Sequence, residues 1–161
     1  IQHHHPMAAQ GLVGVAALLQ VTRNGAGLGG VLQGVHRLVQ RVVQLAFAQA
    51  GHAHQVLALQ QAIPCGLFVN EVLTNALKHA FPGRNQGLIR LELSQQQDSQ
   101  IRLAIIDDGI GLAESAQLGQ GQSLGFQLIP TFITQLRAEL ELQRQPGTGF
   151  VIRFMPLQEP L

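Results

Sequence analysis

The sequence predicts an α+β fold: a two-layer sandwich with helices packed on one face of a sheet, preceded by a short helical hairpin. Three observations point there. Apolar residues recur at helical spacing in some stretches and alternate in others, so both element types are expected. Turn residues punctuate the boundaries between those stretches. With 161 residues and 46% hydrophobic content, the chain can build one compact core plus a short extra element. The organisation expected is a helical hairpin over residues 1–50 and a second domain over residues 55–157.

Met7–Arg23 and Val31–Ala50 carry apolar residues at helical spacing on either side of Asn24-Gly-Ala-Gly-Leu-Gly-Gly30. Two helices around a glycine-rich turn form a hairpin. Its polar faces hold mainly Gln and Gly, so its broad apolar faces should pack against the rest of the chain or a second copy. Val56–Leu59 reads as a short strand. Pro64 suits the first turn of a helix running through Leu67, Val69, Val72, Leu73, Leu77 and Ala80. Phe81-Pro-Gly-Arg-Asn-Gln-Gly87 ends it with turn chemistry. Leu88–Leu93 and Ile101–Ile106 alternate as two strands of a hairpin across Ser94–Ser99. Leu124–Leu140 reads as a helix with Pro130 near its start or at a kink. Glu139–Gln143 and Phe150–Phe154 close the chain as a hairpin around Gln145-Pro-Gly-Thr-Gly149. No internal repeat is visible.

Composition removes several function classes. A net charge of +1 without any Lys/Arg-rich run gives no reason to expect nucleic acid. Cys65 is the only cysteine, which excludes an internal disulfide and a Cys-based zinc site and fits a reducing compartment. The most apolar stretch, Gly11–Val21, is shorter than the roughly 20 residues that span a bilayer. No small-residue cleavage site follows a basic start. Opening on Ile1-Gln2-His3, the chain reads as a cytoplasmic fragment of something longer, with any sensor or membrane segment upstream.

Every carboxylate lies at or after Glu71, and the chemistry concentrates there. On the helix after Pro64, Glu71, Asn75 and His79 are spaced four apart and line one face. An amide oxygen and a carboxylate are hard ligands of the kind Mg²⁺ takes one or two at a time, with phosphates and waters completing the octahedron. Taken alone, such a stripe is also what a solvated helix face looks like. A second cluster, Asp107-Asp-Gly-Ile-Gly111, follows directly on a strand. A carboxylate at a strand end followed by two glycines lets a ligand approach closely, although an ordinary turn has the same composition. Gly119-Gln-Gly121 and Ser123-Leu-Gly125 precede a helix whose first backbone N–H groups could hold phosphate oxygens. No GxxxxGK is present, so a P-loop is excluded.

Together these residues resemble a family. Asn70-Glu-Val-Leu-Thr-Asn-Ala-Leu-Lys-His-Ala-Phe-Pro82 resembles the N box of the GHKL ATPase superfamily (gyrase, MutL, histidine kinases). Within it the similarity is greatest to the sensor histidine kinases whose acceptor motif reads His-His-Arg-Val-Lys-Asn, the HWE-like group. Asp107-Asp-Gly-Ile-Gly111 resembles the first glycine box, usually Asp-Asn-Gly-x-Gly. Ser123-Leu-Gly-Phe-Gln-Leu128 resembles the second, and Gly147-Thr-Gly-Phe150 the closing threonine motif. Order and spacing agree from about Ala62 to Phe154.

The resemblance implies the GHKL (Bergerat) fold, ATP and Mg²⁺ as cofactors, and roles for single residues. Asn75 should ligate Mg²⁺, and Glu71 should support that metal site, where ATP-hydrolysing relatives use the same position on the attacking water. Asp107 should accept the adenine amino group. Gly109 and Gly111 should admit the base, and residues 112–124 should form a lid over the nucleotide. Lys78, His79, Ser123 and Gly125 should lie at the phosphates, and Thr148 at the adenine side. Transfer would then rest on positioning and charge neutralisation.

An autokinase also needs an acceptor. His3-His-His5 precedes Leu18-Leu-Gln20 at the spacing the family shows between its His-His pair and the end of that helix, which makes His4 the acceptor. The same run also reads as an exposed polar cap or a purification-tag remnant. The family's Arg, Lys and Asn are replaced by His5, Met7 and Ala8, and Pro6 falls where a helix should continue. The implied partners are a response-regulator receiver domain and a second copy through the helical hairpin, with no nucleic acid and no membrane contact. Two rivals stay open: a serine kinase of the anti-sigma-factor type, and a nucleotide-binding pseudokinase or phosphotransfer module without turnover.

Overall fold

The computed structural model describes residues 14–22, 37, 57–120 and 124–157. Their elements run β1 (Gly14–Thr22), α1 (Leu59–His79), β2 (Gln86–Gln95), β3 (Ile101–Asp107), α2 (Leu124–Leu136), β4 (Glu139–Gln143) and β5 (Gly149–Phe154). The strands form one antiparallel sheet in the order β1-β2-β3-β5-β4. Both helices cover one face of it, which is the two-layer α+β arrangement expected.

Alternation decides which sheet face is dry. Ile89, Leu91 and Leu93 of β2, Ile101, Leu103 and Ile105 of β3, and Phe150, Ile152 and Phe154 of β5 all point into the core. The register sets Leu91 opposite Ile105, Leu103 opposite Ile152 and Ile105 opposite Phe150. These rows meet Phe68, Val69, Val72, Leu73, Ala76 and Leu77 of α1, and Phe126, Ile129, Phe132 and Leu136 of α2. Phe68 and Phe150 meet edge to face at 6.3 Å. The opposite sheet face carries ion pairs, Arg102 and Arg90 on Glu92, and Arg153 on Glu141.

Three expectations are corrected. The helix Met7–Arg23 is not formed over Gly14–Thr22, which is a strand paired residue for residue with β2, from Gly14 opposite Ser94 to Thr22 opposite Gln86. Nine residues of aliphatic character fit either period, and the ten-residue β2 offers a whole edge of unpaired backbone groups that a strand satisfies and a helix does not. Leu19 turns to the core while Leu18 and Gln20 are exposed, as strand alternation demands. The other residues of the expected hairpin, including His4, lie outside those described, apart from Arg37.

The second correction concerns Val56–Leu59. Leu57 and Ala58 are buried in a bend rather than a strand, and Ala58 caps α1 through its C=O, which accepts from Gln61 and Ala62. Helix α1 therefore starts five residues before Pro64, which sits inside it. The third concerns the helix from Leu124, which stops at Leu136 instead of Leu140. Arg137 takes φ +51°, and its N–H and that of Ala138 return to the carbonyls of Thr134 and Ile133. That pair of bonds is a Schellman stop, and it frees residues 139–143 to be β4.

One buried polar residue holds the sheet to the helices. Gln61, 2% exposed, donates to the Met155 carbonyl at 2.8 Å and accepts from the Leu157 N–H at 2.7 Å. Both ends of its amide are satisfied by the chain leaving β5.

Candidate functional site

Helix α1 and the ends of β3 and β5 flank an open cavity of about 520 Å³ including its mouth. Asn75 and His79, one turn apart on α1, line it from the helix side. Asp107, Gly111, Leu112 and Thr148 line it from the sheet side, and Ile105, Phe126 and Phe150 form its apolar walls. Residues separated by more than thirty positions, Asn75, Asp107 and Thr148, are thus brought to one space.

Asp107, 6% exposed, ends β3 at the bottom of this space. Its Oδ1 accepts the N–H groups of Gly109 at 2.9 Å and Thr148 at 3.0 Å. Its own N–H donates to the Thr148 carbonyl at 2.9 Å. Both side-chain bonds land on one oxygen, which fixes the carboxylate in rotation, and among the described residues none donates to Oδ2. Burial pushes the Asp107 pKa up; the two backbone bonds pull against that shift, and the neighbouring Asp108 charge adds to it. A buried, pre-aimed acceptor of this kind suits the N–H of a base.

Glycine is required where the backbone crowds the aspartate. Gly147 has φ +67°, and a Cβ there would collide with the Asp107 carbonyl. Gly111 has φ +78° and abuts the Arg144 carbonyl. Gly109 sits on the Ala80 carbonyl at the end of α1, where the Ile110 N–H donates to that same oxygen at 2.9 Å. On the far side, a Cβ at Gly125 would overlap the Glu71 carboxylate, which places Glu71 against the start of α2.

Asp108 stands where the resembled motif has Asn, and it has a structural task. Its Oδ1 accepts the Leu88 N–H at 2.8 Å and its Oδ2 pairs with Arg84 at 3.1 Å. Arg84 also donates to the Asp108 carbonyl at 2.6 Å and lies 5.5 Å over the Phe81 ring. The Leu88 amide and the Arg84 cation hold the Asp108 carboxyl below the usual range. The α1–β2 turn is thereby tied to the glycine turn after β3.

Of the residues singled out in the sequence, the structure brings Asn75, His79, Asp107, Gly111 and Thr148 to the cavity, with Gly109, Gly125 and Glu71 packed just behind. Lys78 is exposed and not part of the lining. His4 and Ser123 lie outside the described residues. Sequence reasoning passed over the apolar walls, above all Phe126, which sits in the Ser123–Leu128 motif and faces inward beside its glycine. It also passed over Arg144 and Gln145, whose contacts cross the chain. Among the described residues no three His, Cys, Asp or Glu side chains gather as a metal site, and no helix is long and apolar enough to cross a membrane.

A helix stripe faces a pinned, buried aspartate across an open cavity on an α+β fold. The chain belongs to the histidine kinase-, DNA gyrase B- and HSP90-like ATPases: residues 61–159 match that family. Membership implies ATP binding. Blue-light-activated histidine kinase 2 of Erythrobacter litoralis is 38% identical over 95 residues, 58% of this chain and 27% of that protein. Anti-sigma F factor of Clostridium beijerinckii is 32% identical over 95 residues, 53% of this chain and 64% of that one. The structure of the histidine kinase domain from the Erythrobacter litoralis EL346 blue-light-activated kinase is similar with a TM-score of 0.58 and 27% identity, over 79% of this chain and 60% of that one. The chain thus spans about a quarter of the first kinase and under two thirds of the anti-sigma factor.

Proposed function

We propose that the chain is the catalytic end of a sensor histidine kinase of the HWE-like group, which binds Mg-ATP, phosphorylates a histidine and passes the phosphoryl group to an aspartate of a response-regulator receiver domain. The observation that carries the nucleotide half is the cavity between Asn75 and Asp107, with Oδ2 of the pinned aspartate left for a donor. Similarity to histidine kinases supports the kinase half.

The donor set suits a hard cation held largely by a ligand. Asn75 offers an amide oxygen at the cavity and Glu71 a carboxylate one turn earlier, and no protein-only cage stands among the described residues. Mg²⁺ bound there would neutralise charge on the phosphates. The chain's own residues would do the rest. Asp107 orients the base, the backbone at Gly111 and Leu112 closes one side, and Phe126 and Phe150 keep water from the buried end. His79 lines the same space near Asn75, and Lys78, exposed one residue away, would add positive charge at the phosphate side.

His4 is the acceptor on sequence spacing alone, and the helix assumed in that spacing is replaced by β1 at Leu18-Leu19-Gln20. In the step proposed, an imidazole nitrogen of His4 attacks the γ-phosphorus, the bond to the bridging oxygen breaks and ADP leaves. The reading also includes a second copy of the chain associating through the amino-terminal segment, residues 1–50, most of which lie outside those described. The site would work in a cytoplasmic compartment.

The anti-sigma F factor similarity favours a second reading, a serine kinase on the same fold. Incubation with γ-phosphate-labelled Mg-ATP separates the two. Label lost in acid and kept in base supports a phosphohistidine, and peptide mapping then tests His4. Acid-stable label supports the serine kinase. ATP binding without label overturns autophosphorylation by this chain.

A further inference from the structure

We propose that Arg144 is a positioning residue of the nucleotide site, holding the segment after the glycine turn in its binding position before any ligand arrives. The inference rests on the cavity being the nucleotide site.

Ile110–Ala116 has no helix or strand of its own. Glu114 and Ser115 are exposed, and within the segment Leu112 packs against the core while also lining the cavity. A stretch so placed would normally be held by a ladder or a continuous hydrophobic face, and Leu112 is its one anchor of that kind among the residues from Ile110 to Ala116. The turn between β4 and β5 supplies the missing bonds. Nη1 of Arg144 donates to the carbonyls of Ala113 at 2.8 Å and Ala116 at 2.9 Å. The Arg144 carbonyl accepts the Leu112 N–H at 3.0 Å. Nε2 of the adjacent Gln145 donates to the Ile110 carbonyl at 3.1 Å. Two consecutive residues, 28 to 35 positions away in the chain, thus fix four backbone groups of the segment.

The position of this clamp matters because of what flanks it. Two residues further on, Gly147 presses against the Asp107 carbonyl, and the following N–H binds Asp107 Oδ1. One short turn therefore positions both the acceptor on the cavity floor and the wall at Gly111–Leu112. A cationic donor bound to carbonyls contributes more than a neutral one. Without it, the wall would have to be ordered at the moment of binding, and the ligand's affinity would carry that ordering cost. The wall lies at the Asp107 end of the cavity, so the loss should not depend on the number of phosphates.

The test compares the wild-type chain with R144A. Amide exchange over residues 110–116 is measured without nucleotide, and affinities for Mg-ADP and Mg-ATP are measured by calorimetry. R144A should exchange markedly faster in that segment while β2, β3 and α1 keep their protection. Both affinities should fall by the same factor, roughly tenfold for the loss of a charged donor to two carbonyls. Unchanged exchange over 110–116 overturns the clamp, as does a loss confined to ATP. Should R144A fail to fold, R144K, which keeps the cation on a shorter reach, carries the same measurements. A wild-type chain that binds neither nucleotide removes the reading of the cavity, while the exchange comparison still tests the clamp by itself.

Discussion

The two sides of the cavity are built on different principles. On the sheet side Asp107 is held by the N–H groups of Gly109 and Thr148, and the chain around it by contacts that only glycine permits. On the helix side Asn75 and His79 project from a regular element whose opposite face is buried. A change that crowds the glycine backbone of the sheet side should therefore disturb fold and binding together, whereas one on the helix side should disturb binding alone.

The largest effect should come from Gly147→Ala. The new Cβ meets the Asp107 carbonyl, and φ +67° is itself unfavourable for alanine. Relief requires moving the turn that donates to Asp107 Oδ1. A loss of about 3 kcal/mol, or a Tm drop of roughly 6–12 °C, is expected with ATP binding lost alongside. A thermal melt close to wild type would break the claim that the sheet side is locked by sterics.

Asp107→Asn is next and separates charge from shape. The amide oxygen can keep both backbone bonds, but an NH₂ now faces the base where an acceptor stood. Affinity for ATP should fall about ten- to a hundredfold, read by calorimetry. Its effect on stability has the opposite sign. Asp107 has its pKa raised in the folded chain above its ordinary 3.8, chiefly by burial. The folded state thus binds more protons between 3.8 and that raised value, and stability falls as pH rises through the window. The penalty grows as pH rises through that window, so the Asn variant should gain Tm relative to wild type above it and lose that advantage below the unfolded value. Asp108, with its pKa lowered by the Leu88 amide and Arg84, behaves inversely. Its contribution is present above 3.8 and disappears as pH falls through its depressed pKa.

Asn75→Ala probes the helix side. Alanine suits a helix, and the neighbouring core residues Val72 and Ala76 are untouched. Tm should stay within about 2 °C of wild type. Affinity for ATP with Mg²⁺ should fall at least about tenfold while that measured in chelator changes little, as expected for a removed metal ligand. An equal loss in both conditions would reassign Asn75 from the metal to the nucleotide itself.

The same contrast explains what could be read from the sequence. Strands β2, β3, β4 and β5 and most of α1 were legible because their periodicity is complete within each segment. Asp107 and the glycines were legible because their spacing survives in a motif. β1 was not, since its short aliphatic run fits two periods and its choice is made by the distant edge of β2. The first turn of α1 was missed because Val56–Leu59 is too short to show a period. Gln61, Arg84 and Arg144 left no signal, because a long polar side chain that binds a remote carbonyl looks like any solvated one.

The smallest effect tests the glycine argument in reverse. Arg137 follows α2 at φ +51°, the same backbone region as Gly147, but it is an exposed residue whose N–H returns to the Thr134 carbonyl while that of Ala138 returns to Ile133. Nothing there needs a side chain to be absent, so the arginine costs only the intrinsic strain of that conformation. Arg137→Gly should remove the strain and gain about 0.5–1 kcal/mol, offset in part by glycine's extra freedom in the unfolded chain. The gain is read as a small rise in Tm with ATP affinity unchanged. A loss of stability would mean that Arg137 makes a contribution other than capping. A gain here beside a large loss at Gly147 would show that crowding against Asp107, rather than the backbone angle, makes glycine obligatory at the site.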